Sequence, residues 1–119
     1  IAGNSNLLIT NLVGSNITSS TTITGNSNQV TSNLLSPYGS VNNAITGSYN
    51  VFNIQQTDSA GGSGHQLVAS TTGDYNSITT QQQGNNDTTV NILTSGSHNT
   101  ITVRSSSGSI VNPATAIAR

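Results

Sequence analysis

Apolar and polar positions alternate along this chain, and the alternation restarts at regular places. Each restart follows a Gly-x-x-Asn tetrapeptide, found at Gly3–Asn6, Gly25–Asn28, Gly47–Asn50, Gly73–Asn76 and Gly96–Asn99. Stepping forward from each asparagine by two residues, the period of a strand, collects Leu8, Thr10 and Leu12; Val30, Ser32 and Leu34; Phe52, Ile54 and Gln56; Ile78, Thr80 and Gln82; Ile101, Val103 and Ser105. Stepping back from the following glycine collects Ile17 and Ile23, Val41 and Ile45, Leu67 and Ala69, Val90 and Ile92. Intervening positions are mostly Thr, Asn, Gln and Ser, with Ala44, Val68 and Leu93 out of phase in the second halves. No apolar stripe of helical period is present.

The motif glycines are 22, 22, 26 and 23 residues apart, and the long interval holds DSAGGSG at 58–64, which reads as an inserted loop. Gly3 to Gly14 and Gly73 to Gly84 are both 11 residues, so the unit divides into two halves. Strand–turn–strand–turn fits that length, and a helix pair does not. The pattern predicts an all-β chain: a β-solenoid of about five ~22-residue rungs over residues 1–105, with parallel strands stacked in register as in cross-β. The rungs start near Gly3, Gly25, Gly47, Gly73 and Gly96. The predicted core is Leu8, Val30, Phe52, Ile54, Ile78, Ile101, Val103, Ile23, Ile45, Val90 and Ile92.

Repetition assigns work to the remaining columns. Glycine supplies the positive φ of a tight corner. Asn6, Asn28, Asn50, Asn76 and Asn99 would stack at the strand spacing and bond as an amide ladder, or cap backbone groups at the corner. The preceding residues, Ser5, Ser27, Tyr49, Tyr75 and His98, fall in one surface column. Its rings would stabilise the column by stacking, or form part of a sugar- or surface-binding stripe.

Composition narrows the function classes. Of 119 residues only 4% are charged and 31% hydrophobic, too few for a conventional core, while Asn, Ser, Thr, Gly and Gln dominate. The bases are Arg104 and Arg119 alone, so nucleic acid is not an expected partner. Apolar runs are too short to span a bilayer. Without cysteine there is no disulfide or thiolate site. The start at Ile1 fits a mature form whose secretion signal has been removed.

Catalytic chemistry is not expected. His65 and His98, the two histidines, fall in different halves of different repeats and read as exposed turn or corner residues. With Asp58, Asp74 and Asp87 they lack metal-ligand spacing, and GGSG at 61–64 lacks the Lys-Ser/Thr of a phosphate loop. Neither a cofactor nor a metal is implied. Arg104 reads as a solvated charge on an edge.

The segment Asn50-Val51-Phe52-Asn53-Ile54-Gln55-Gln56, and with it Asn76-Ser77-Ile78-Thr79-Thr80-Gln81-Gln82, resembles the curlin repeat of bacterial curli fibres. Leu12, Leu34 and Ser105 stand where the other three half-repeats would carry glutamine. The resemblance implies a subunit secreted through an outer membrane that stacks into an extracellular amyloid fibre of a biofilm matrix.

The expected function is therefore structural: a fibre subunit whose partner is itself, growing head-to-tail by edge-strand addition, with a nucleator or secretion apparatus as further possible partners. Strand 6–12 is the most apolar, adding Leu7, Ile9 and Val13 to the core set, as a covered surface would. Beyond residue 105 the repeat is abandoned, and the tail 106–119, with Ile110, Val111 and Ile117, is expected to cap the last rung or dock on a neighbour. The alternative class is a monomeric binding solenoid such as an ice-binding protein, suggested by Thr22-Ile23-Thr24 and Thr100-Ile101-Thr102. Gln29, Asn53 and Gln55 interrupt the rows such a protein needs. A third reading is an adhesin or phage-fibre fragment with the 58–64 loop as its contact.

Overall fold

A computed structural model describes residues 1–57 and 64–106, together with the backbone of 114–118. In chain order the strands are β1 Leu7–Leu12, β2 Thr18–Thr24, β3 Gln29–Leu34, β4 Ser40–Thr46, β5 Val51–Thr57, β6 Gln66–Thr72, β7 Ser77–Gln83, β8 Thr89–Ser95, β9 Thr100–Ser105 and β10 Ala114–Ala118. Odd-numbered strands form one sheet, β1-β3-β5-β7-β9, and even-numbered strands the other, β2-β4-β6-β8-β10. Every pairing is parallel. The chain is a β-solenoid of about four turns that lays five strands in each sheet. Among the described residues there is no helix, and so none long and apolar enough to cross a membrane.

Register follows the sequence columns. Leu8 pairs with Val30, Val30 with Phe52, Phe52 with Ile78 and Ile78 with Ile101. On the second sheet Ile23 lies beside Ile45, while Val41, Leu67 and Val90 form another column of the same inner face. The two inner faces meet in one thin core of Ile23, Val30, Leu34, Val41, Ile45, Phe52, Ile54, Leu67, Ala69, Ile78, Val90, Ile92 and Ile101, with Val103 half-buried against it. Ala44, Val68 and Leu93 project outward and are exposed, as their phase requires.

Corner glycines permit the close stack. Gly25 has φ +132°, and a Cβ there would lie 1.9 Å from the carbonyl oxygen of Gly47. Gly3, Gly47 and Gly73 show the same approach to the glycine one rung on. No side chain fits between corners at this spacing, so the absence of a Cβ matters as much as the left-handed backbone.

Several expectations need correction. Leu8 occupies an interior column but is 37% exposed, because it lies on the first rung and only one neighbouring strand flanks it. Leu7, Ile9 and Val13 do not add to the core; they lie on the outer face of the first sheet and are exposed. His65 is fully buried. Its place, one rung on from Gly39 and one before Thr88, faces the interior, as stepping back from Gly73 by two also shows. The tail is not wholly outside the repeat: Ala114–Ala118 pairs with β8 in parallel register, supplying the fifth strand of the second sheet. Ile117 lies on that strand, whereas Ile110, Val111 and most of the 58–64 loop fall outside the described residues.

Candidate functional site: the ends of the stack

Two side-chain ladders run through the rungs and give the stack a direction. The first is the predicted asparagine column. Asn28 donates to Asn6 Oδ1 from its backbone N at 3.0 Å and from Nδ2 at 3.1 Å. Asn50 repeats both bonds to Asn28, Asn76 to Asn50 and Asn99 to Asn76, all between 2.9 and 3.1 Å. The other Nδ2 hydrogen is donated to a corner glycine carbonyl: Asn6 to Gly25, Asn28 to Gly47, Asn50 to Gly73 and Asn76 to Gly96. Ladder and backbone cap, alternatives at the sequence level, are the same residue's two functions.

The second ladder runs the other way. Asn4 N donates to Asn26 Oδ1, Asn26 N to Ser48 Oγ, Ser48 N to Asp74 Oδ1 and Asp74 N to Ser97 Oγ, at 2.6–3.2 Å. Sequence reading missed this column because Asn, Ser and Asp share no name, only a short side chain with an acceptor oxygen. The signal is the position directly after each motif glycine.

Between these ladders stands the aromatic column. Tyr49 and Tyr75 stack at 4.9 Å between ring centroids, and Tyr75 and His98 at 5.0 Å. Tyr75 thus has both faces occupied by its neighbours, which supports a stabilising role over a sugar-stacking stripe. All three residues have φ near +60°, as do Ser5 and Ser27 in the rungs before them.

At the far side of the core lies a buried polar group. Gln56 Nε2 donates to Gln82 Oε1 at 2.9 Å and to the carbonyl of Ser40. Gln82 Nε2 in turn donates to Gln66 O, Thr88 O and Thr88 Oγ1. His65 places Nε2 3.1 Å from Thr57 O and Nδ1 2.9 Å from Thr88 Oγ1. The carbonyl needs a donor, so Nε2 carries the hydrogen and Nδ1 accepts from the threonine hydroxyl. His65 is thereby held as a structural residue, while His98 stands exposed in the aromatic column. Among the described residues no three His, Cys, Asp or Glu side chains gather as a metal site would require.

The ends of the stack are chemically complementary. On the first rung, Asn6 N and one Nδ2 hydrogen lack the acceptor that the four later asparagines have, and Asn4 Oδ1 accepts nothing among the described residues. On the last rung the roles reverse: Asn99 Oδ1 accepts nothing and Ser97 N has no side-chain acceptor, again among the described residues. Exposed apolar side chains are frequent at the first rung, which carries Ile1, Leu7, Leu8, Ile9, Leu12 and Val13. At the last rung Arg104 is exposed on β9, as expected of an edge charge.

The outer faces are less regular. Thr24, Thr46, Thr72 and Ser95 form one exposed hydroxyl column, but the neighbouring column reads Thr22, Ala44, Ser70 and Leu93. A paired threonine row is therefore confined to the first rung of that sheet.

Comparison with protein-family models, with curated proteins and with solved structures finds no match to this chain, so the resemblance to curlin repeats rests on the residues alone.

Proposed function

We propose that the chain is a structural subunit that stacks head-to-tail, rung upon rung, into an extracellular amyloid-like fibre of the curlin kind, serving a biofilm matrix or surface adhesion. The observation that carries this reading is the complementarity of the ladder ends. Placing the first rung of one copy on the last rung of another sets the Asn6 donors on Asn99 Oδ1 and Ser97 N on Asn4 Oδ1, the same bonds that join every pair of rungs within the chain. It would also set Leu8 over Ile101 and bring an edge strand to β1, whose backbone otherwise presents unpaired groups to water. The partner is a second copy because the columns are the same on both sides of the junction.

Incubation of the purified chain at neutral pH, followed by electron microscopy and fibre diffraction, tests this. Unbranched filaments with a repeat of about 4.8 Å along the axis are expected. A dispersed, folded monomer at high concentration would overturn the reading.

A further inference from the structure

A rung stacked on β1 covers the edge of that strand and leaves its outer face as it is. That face is apolar: Leu7, Ile9 and Val13 alternate along it, while Leu8 and Leu12 hold the inner phase. Leu35 and Val51 extend the same face over the next two rungs. Val13 N donates to Leu34 O and Leu35 N to Gln56 O, so the ladder carries Val13 and Leu35 side by side, and Val51 lies in the column of Leu7. All five are 41–55% exposed. Apolar residues make up only 31% of the chain, and inner positions such as Ser32, Asn43 and Thr80 are filled by polar ones. A strand apolar on both faces is the pattern of one covered on both. On the outside of the other sheet, the large apolar residues exposed are Val68 and Leu93, in different columns and on different rungs.

We infer that the outer face of the first sheet docks on the same face of a second copy, sheet against sheet. The pairing does not need head-to-tail growth, which uses strand edges. A copy is the fitting occupant because, among the described residues, this face carries no charge except Arg104 on its last strand. Its partner must therefore be flat and uncharged, as the face itself is. Area decides the arrangement. Five strands about 4.8 Å apart, each of about six residues at about 3.3 Å, make a face of about 480 Å². Full overlap of two copies buries about 1,000 Å², the size at which specific interfaces begin, whereas overlap of the first two rungs alone buries less than half of that. Full overlap with Ile9 on its counterpart calls for a two-fold axis along the stack, over the column of Ile9, Thr31, Asn53, Thr79 and Thr102. The axis turns each strand end for end, so Arg104 faces Thr100 of the other copy and not a second arginine.

Cross-linking between copies tests the pairing. The chain has no cysteine, so Thr31→Cys supplies a single thiol on the proposed axis and leaves the apolar residues in place. Asn42→Cys supplies one on the same rung but on the outside of the other sheet. A bismaleimide spanning about 10 Å, the distance between packed sheets, should join two Thr31→Cys copies and should not join two Asn42→Cys copies. Adding Ile9→Lys to Thr31→Cys sets two ammonium groups against each other on the axis, and the cross-linked product should fall by about tenfold or more. Ile9 is exposed within one copy, so the urea midpoint should not move. Head-to-tail stacking alone gives no product, because it leaves successive Thr31 positions five rungs, about 24 Å, apart. If Thr31→Cys yields no product, yields no more than Asn42→Cys, or is unaffected by Ile9→Lys, the pairing is overturned. Filaments without the Thr31 product leave stacking standing and remove the pairing; the product in dispersed protein without filaments establishes the pairing and removes the stacking.

Discussion

Asn76 approaches Asn50 Oδ1 with two donors at once, its backbone N at 2.9 Å and its Nδ2 at 3.1 Å, while Asn50 Nδ2 continues to the carbonyl of Gly73. One buried oxygen therefore holds two rungs together, and one amide holds the corner beside it. Replacing Asn50 by alanine leaves both Asn76 donors and the Gly73 carbonyl short of a partner inside the stack. The expected loss is about 3 kcal/mol, since a buried unpaired group costs roughly 1–3 kcal/mol. Asn6→Ala, at the half-buried first rung, should cost about 1 kcal/mol, because water can reach its partners. Urea denaturation of both variants checks the ratio; equal losses would mean that burial along the stack is not what makes the ladder strong.

Tyr75 combines a favourable side chain with an unfavourable backbone. Its ring stacks on both Tyr49 and His98, but its φ of 57° lies in the left-handed region. Tyr75→Ala removes both ring contacts and keeps the strain, for a loss of about 1–3 kcal/mol. Tyr75→Gly removes the same contacts and relieves about 1 kcal/mol of strain, so it should melt above the alanine variant. The reverse order in thermal melts would show that the corner is not strained at this position.

Asn43 stands apart from the asparagine ladder. It is buried on the inner face of β4, and neither its Oδ1 nor its Nδ2 has a partner among the described residues. Thr21 precedes it and Ala69 follows it in the column, neither of which offers the geometry of the corner ladder. Asn43→Leu keeps the number and branching of the side-chain heavy atoms and removes two unpaired groups, so stability should rise by about 1–3 kcal/mol. A fall in the urea midpoint would show that the buried amide is not a cost to the fold.

The local pattern determined which way each side chain points. A strand turns alternate residues to opposite faces whatever its neighbours, so counting forward by two from Asn28, Asn50 or Asn76 was enough to place Val30, Phe52 and Ile78 inside, and counting back from Gly73 and Gly96 to place Val68 and Leu93 outside. The glycine interval was enough to bring those strands into rungs, and the motif asparagines into a ladder. The tertiary structure decided what lies above and below each residue, because those neighbours come from 22 to 26 positions away. Leu8 and Phe52 have the same phase, yet only Phe52 is flanked by strands on both sides. Asn26 and Ser48 look unrelated in sequence, yet their side chains belong to one ladder, because a backbone N–H asks only for an oxygen in reach. His65 was in phase for burial all along, but only its meeting with Thr57 and Thr88 shows how a polar ring is satisfied there. Phase is a property of the strand alone; burial and the ladders are properties of the stack.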